Sequence, residues 1–153
     1  MMAADQINRI QSFFDSRKGQ MISFLETLVC IQSGSMNKQG VDRVGQLISD
    51  KMQAIGFACE THRQEALGDH IVARSPGAAP GNKQYLITGH MDTVFPEDSG
   101  FNWFKQDEKH CYGPGVADMK GGLVAAIFAL EYLFENSMLK KNPITFVFNS
   151  DEE

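Results

Sequence analysis

Three features are scarce in this sequence, and each scarcity excludes a class of protein. The longest apolar run, residues 121–130, is far shorter than the roughly 20 residues that a membrane span needs. Lys and Arg are scattered and the net charge is -5, so there is no basic surface for nucleic acid. The three cysteines are odd in number and widely spaced, which favours thiols in a reducing compartment over disulfides. We therefore expect a cytoplasmic protein with no membrane and no nucleic-acid partner.

The apolar pattern predicts an α/β fold. The chain has 153 residues, 42% of them hydrophobic, which suits one core rather than two. Apolar residues recur at helical spacing over residues 7–29, with a break expected at Gly19, and over residues 41–55 and 119–136. Short strands are predicted at residues 57–61, 70–74, 85–88 and 144–148. A strand, a helix and a buried strand in succession indicate a right-handed crossover in a mostly parallel sheet.

Three polar segments follow or connect these strands: residues 89–94, 113–122 and 150–153. In open parallel sheets, ligands bind beyond the carboxyl ends of the strands. We therefore expect the chemistry of this protein to collect at one edge of the sheet.

The first segment carries His90, directly after a buried strand, with Asp92 two residues further on. A carboxylate that accepts a proton from an imidazole fixes its tautomer, as is usual for metal-binding histidines. A His-x-Asp pair is, however, more often a strand end with a satisfied histidine. Taken alone, the pair decides little.

Asp118 lies in the second segment, between the glycine pairs Gly113/Gly115 and Gly121/Gly122. One interpretation is an N-cap of the following helix. The other is a carboxylate that places one oxygen on each of two cations, in a loop whose glycines allow close approach. A phosphate-binding loop is improbable, because Asp118 occupies the place of the third glycine of G-x-G-x-x-G.

Glu152 and Glu153 form the third segment with Asp151. An acidic cluster at a strand end is often only a solvated loop. Adjacent glutamates can also point in different directions, one binding a metal and the other taking a proton from its water. Three unremarkable features at the same sheet edge are less probable together than one metal site.

Together the strings HMDTV, GPGVADMKGG and NSDEE, in this order, resemble the zinc metallopeptidase family of glutamate carboxypeptidases, acetylornithine deacetylases, succinyl-diaminopimelate desuccinylases and aminoacylases. The stretch LVCIQSGS agrees, so the resemblance covers essentially the whole chain. It implies a three-layer α/β/α domain of zinc-peptidase type with a mixed, mostly parallel sheet. It also implies a cis peptide bond between Asp118 and Met119.

The resemblance implies two zinc ions, for which cobalt or manganese can substitute. In the implied site His90 binds one metal, Asp92 orients His90, Asp118 bridges both metals, Glu153 binds the second metal and Glu152 is the general base. The implied reaction is cleavage of an amide bond in a small peptide or an N-acyl amino acid. We expect an exopeptidase of glutamate carboxypeptidase type, with an N-acyl-amino-acid deacylase or a noncatalytic binding module as alternatives.

Other family features are not found in this sequence: a further acidic ligand, a histidine ligand near the C-terminus, and an inserted dimerisation or lid domain. Residues 1–153 are therefore expected to be the N-terminal portion of a catalytic domain, truncated after its last recognisable ligand. We expect this portion to be inactive alone, and the homodimers common in the family to form through the absent domain.

Overall fold

The structure is a computed structural model and describes residues 2–153. The described part has a four-stranded sheet in the order β1, β2, β6, β3 and a separate hairpin of β4 and β5. Its helices and strands are α1 (Met2–Val29), α2 (Lys38–Ala54), β1 (Ala58–His62), β2 (His70–Arg74), β3 (Tyr85–His90), β4 (Lys105–Gln106), β5 (Cys111–Tyr112), α3 (Gly121–Glu135) and β6 (Ile144–Asn149).

The main sheet is mixed, which confirms the α/β class. Strands β3 and β6 are parallel, whereas β1 pairs with β2, and β2 with β6, in antiparallel register. The prediction of a mostly parallel sheet is therefore wrong for the described strands. The reason lies in the short connection between β1 and β2: a parallel pair needs a crossover of a dozen or more residues, and residues 63–69 are too few.

All three helices pack on one face of this sheet. Helix α2 lies against β1, where the Cys59 thiol donates to the Ser49 carbonyl, and Lys51 of α2 pairs with Glu131 of α3 at 2.6 Å. Helices α1 and α3 pack against each other in the same core. The opposite face is open, and Leu86 on it is 66% exposed. The described residues thus form two layers of the truncated α/β/α domain that was predicted, and no described segment covers the second face.

The core between helices and sheet is apolar and continuous. The rings of Phe146 and Phe148 stack at 4.0 Å on β6, and burying each such side chain contributes about 1.5–3 kcal/mol. Helix α1 continues through Gly19, contrary to the predicted break. A helical glycine costs only about 1 kcal/mol relative to alanine, which the packing of the apolar residues on both sides outweighs. None of the described helices is long and apolar enough to cross a bilayer.

The parallel pair of β3 and β6 positions the candidate site. Their register runs from Tyr85 opposite Ile144 to His90 opposite Asn149, so both strands end at the same edge. The backbone N–H of Met91 donates to the Asn149 carbonyl at 2.8 Å and extends this pairing by one residue. The polar segments after the two strands therefore lie side by side.

Candidate metal centre

Packing around Gly89 fixes the backbone of His90. A Cβ atom at Gly89 would lie 2.7 Å from Leu123 of α3 and 3.0 Å from Met119, so only glycine lets the helix approach β3 this closely. The Met119 sulfur accepts a hydrogen bond from the His90 backbone N–H at 3.3 Å. His90 is thereby held at the end of β3 against the segment that carries Asp118.

The His90 ring is buried, with 5% of the residue exposed, and its two nitrogens face different partners. Nδ1 lies 3.2 Å from the Asp92 carbonyl oxygen and 3.4 Å from its carboxylate Oδ1. Nε2 lies 2.9 Å from Asp118 Oδ1 and 3.9 Å from Glu152 Oε2. Burial lowers the pKa of His90, but the hydrogen bond to Asp118 and the charge of Asp92 outweigh it, and the pKa is raised overall.

Asp92 is fully buried and binds several parts of the site at once. Its Oδ2 accepts hydrogen bonds from the Ser35 hydroxyl at 2.7 Å and the Glu153 backbone N–H at 3.2 Å. Its Oδ1, beside the His90 ring, accepts from the Glu152 backbone N–H at 3.3 Å. Asp92 therefore contacts the imidazole through both its carbonyl and its carboxylate, and the carboxylate holds the backbone of both glutamates.

Asp118 sits in a single wide turn, Val116–Lys120, and does not cap helix α3. Its φ of -133° and ψ of 103° are not helical, and α3 begins at Gly121 without a side-chain cap. Gly115 has a φ of +72°, which favours glycine, and its carbonyl accepts from the Lys120 N–H at 2.8 Å. The cis peptide bond implied between Asp118 and Met119 is present. The Asp118 side chain is 77% exposed and contacts the site at His90 Nε2.

Lys120 anchors this turn, and sequence reasoning missed it. The residue is 1% exposed, and its ammonium donates to the carbonyls of Leu28 at 2.9 Å and Ile31 at 3.0 Å, at the end of α1. Burial lowers the pKa of Lys120 to about 8. A charged residue directly before a long apolar helix was the available signal, although nothing in the sequence identifies its distant partners.

Three predicted residues form a group that could hold a metal ion. One ligand atom from each of His90, Glu152 and Glu153 lies within 4.8 Å of the others, whereas Asp118 contacts His90 from outside this group. Burial raises the pKa of Glu153, as do the neighbouring carboxylates, Asp118 foremost, while His90 lowers it. A cation would relieve this crowding of negative charge, and one imidazole with carboxylate oxygens suits zinc. The residues present therefore fit a divalent metal.

Comparison with known proteins shows which family this fold and this cluster resemble. Residues 86–153 match the model described as peptidase family M20/M25/M40. Carboxypeptidase G2 of Pseudomonas sp. (strain RS-16) is 33% identical over 136 residues, which cover 87% of this chain and 32% of that relative. Succinyl-diaminopimelate desuccinylase of Xanthomonas campestris pv. campestris (strain B100) is 32% identical over 113 residues, covering 70% of this chain and 29% of the relative.

Solved structures show the same fold. Human carnosine dipeptidase 1 superposes with a TM-score of 0.77 and 20% identity, covering 93% of this chain and 34% of that one. The family model and the named relatives confirm the family predicted from the sequence: the chain is related to the M20/M25/M40 metallopeptidases, a family of hydrolases. It spans about a third of the length of these relatives.

Proposed function

We propose that residues 1–153 are the N-terminal portion of the catalytic domain of an amide-cleaving hydrolase with a dinuclear zinc site. The observation that supports this most directly is the convergence of His90, Glu152 and Glu153 beside the buried Asp92. In this proposal His90 binds one metal, Asp118 bridges and Glu153 binds the second. The remaining ligands, and the domain through which relatives would dimerise, are assigned to protein outside these residues.

The proposed site gives each side chain a separate chemical role. Divalent ions in such sites polarise a carbonyl group and acidify water. Asp92 keeps the Nδ1 side of His90 occupied, which leaves Nε2 as the metal-facing nitrogen. Glu152 Oε2, 3.9 Å from that nitrogen, is placed to take a proton from water and return it to the departing amine. Glu152 is therefore the proposed general base.

For the reaction we propose an exopeptidase of glutamate carboxypeptidase type, acting on a small peptide. The match to carboxypeptidase G2 over 87% of the chain supports this choice. The matches to succinyl-diaminopimelate desuccinylases support the second candidate, a deacylase of N-acyl amino acids. A cytoplasmic location remains part of the proposal, supported by Cys30, Cys59 and Cys111, which are free thiols.

Zinc titration followed by calorimetry tests the metal site on this chain. We expect saturable binding to the wild-type chain and a loss of at least tenfold in affinity for His90→Gln, which removes the one imidazole of the group. His110→Gln is the matched control, because His110 is exposed and lies near Asp107 instead. Equal zinc affinity in all three proteins would contradict the proposed site.

Activity distinguishes the catalytic proposals from a noncatalytic module. Residues 1–153 alone should not hydrolyse N-acyl or C-terminal glutamate substrates with added zinc, since the proposal assigns ligands to other parts of the protein. A protein of the relatives' full length that contains this chain should hydrolyse one of the two substrate classes, and Glu152→Gln should abolish turnover. Metal-dependent turnover by residues 1–153 alone would overturn the proposed inactivity.

A further inference from the structure

Residues 33–35 run beside the segment that follows β3. The Thr93 N–H donates to the Ser33 carbonyl at 2.9 Å, and the Ser35 N–H donates to the Thr93 carbonyl at 3.3 Å. Gly34 forms a parallel bridge with Thr93, and a Cβ at Gly34 would lie 2.2 Å from the Phe95 carbonyl oxygen. This close pairing brings the side chain of Ser35 to the buried Asp92.

Ser35 makes the shortest hydrogen bond that Asp92 accepts. Its hydroxyl lies 2.7 Å from Oδ2, compared with 3.2 Å for the Glu153 N–H on the same oxygen. Among the described residues it is the one hydroxyl that bonds to this carboxylate. Without it, the Glu153 N–H would be the remaining donor to Oδ2, and the carboxylate would be freer to rotate away from the His90 ring.

We propose that Ser35 is a positioning residue of the metal centre. Its hydroxyl fixes the rotation of the Asp92 carboxylate, and through it the tautomer of His90 and the backbone of Glu152 and Glu153. This inference rests on the proposed function, because it assigns Ser35 a role in a metal site. Partners of this kind behind a metal ligand typically change metal affinity by 10–100-fold when they are removed.

The chain offers a matched control in Ser33. Its hydroxyl is buried in the same loop and donates to the Met91 carbonyl at 3.1 Å, and it is not among the described hydrogen-bond donors to the Asp92 carboxylate. Ser35→Ala and Ser33→Ala therefore each remove one hydroxyl from one loop. Ser35→Thr keeps the hydroxyl and provides the conservative variant.

The test is cobalt(II) binding to the complete 153-residue chain, followed by absorption spectroscopy, with urea unfolding of the metal-free proteins alongside. We expect Ser35→Ala to lose about tenfold or more in cobalt affinity, with a changed visible spectrum. Ser35→Thr should stay within about threefold of wild type by retaining the bond, and Ser33→Ala should bind like wild type even where its stability falls. If Ser35→Ala binds cobalt like Ser33→Ala, the inference is overturned.

Nitrogen NMR of the His90 ring in the metal-free chain distinguishes a failure of the proposed metal site from a failure of the positioning role of Ser35. Ser35→Ala should change the tautomer populations that the Nδ1 and Nε2 shifts report, and Ser33→Ala should leave them unchanged. If the wild-type chain binds no cobalt but the ring shifts respond in this way, the proposed function fails while the coupling of Ser35 to His90 stands. Unchanged ring shifts in Ser35→Ala would overturn the inference regardless of metal binding.

Discussion

The inner and outer halves of the candidate site are built differently. His90 and Asp92 are 5% and 0% exposed, and each is bonded to several parts of the chain. The side chains of Asp118 and Glu152 are 77% and 59% exposed and face one another around His90 Nε2. The fold itself therefore fixes the imidazole and the carboxylate beside it, whereas in the proposed site a cation would order the outer carboxylates.

This comparison separates stability from metal binding. Removing an inner group leaves buried polar partners unpaired, which costs free energy of unfolding whether or not metal is present. Removing the Glu153 carboxylate relieves repulsion in the metal-free protein, because burial and the neighbouring carboxylates raise its pKa, and it should cost only metal affinity. Substitutions in the two halves test whether stability and metal affinity separate in this way.

Asp92→Ala should have the largest effect. It leaves the Ser35 hydroxyl and the two glutamate amides without their shared acceptor and removes the carboxylate beside the His90 ring, and we expect a loss of about 3 kcal/mol in the free energy of unfolding. Urea denaturation of the metal-free chain measures it. Asp92→Asn, which keeps the shape and one acceptor oxygen, should lose less. A loss below about 1 kcal/mol for the alanine variant would show that Asp92 does not hold the inner half together.

Lys120→Met comes next, since Lys120 attaches the Asp118 turn to the end of α1. The substitution keeps the volume but removes the ammonium that donates to the carbonyls of Leu28 and Ile31, and we expect a loss of about 2 kcal/mol in the free energy of unfolding. The same urea assay applies. The exposed Lys140→Met serves as the control and should stay within about 0.5 kcal/mol of wild type. Equal effects of the two substitutions would contradict the anchoring role.

The two glutamates should differ from each other. Glu153→Gln should lower zinc affinity about tenfold or more, because it removes a proposed ligand, whereas Glu152→Gln should lower it less than about threefold. Neither should change the metal-free free energy of unfolding by more than about 0.5 kcal/mol. Calorimetric zinc titrations of the two variants measure the difference. The reverse order of affinities would exchange the assigned roles of ligand and base.

The smallest effect concerns pH. The pKa of His90 is raised in the folded chain above its ordinary value of 6.5, so its ion pairs stabilise the metal-free fold fully below that value. This contribution should disappear as pH rises through the raised folded value, while zinc affinity increases as the proton leaves. Urea midpoints of wild type and His90→Gln, compared across this range, should converge as pH rises. A difference that grows with pH would contradict the raised pKa.

Local motifs predicted His90 and the outer carboxylates as site residues, because each lies after a buried strand or before a helix whose apolar pattern is readable. Ser35 and Lys120 could not be assigned in this way. Asp92, the partner of Ser35, is 57 residues away in the sequence, and Leu28, a partner of Lys120, is 92 residues away. Such contacts depend on tertiary packing. The same limit explains why the sheet topology was predicted incorrectly. The spacing of apolar residues shows that a strand is buried, but it does not show which face of the sheet a helix covers or which neighbouring strand pairs with it.

The central claim is that the end of β3 and the end of β6 build one metal site. The most direct measurement is a crystal structure of the zinc-saturated chain with anomalous scattering recorded at the zinc edge. The account predicts one zinc peak about 2 Å from His90 Nε2 and a second about 2 Å from a carboxylate oxygen of Glu153. Ordered zinc bound elsewhere, with the His90 ring still in contact with Asp118 and carrying no metal, would contradict it.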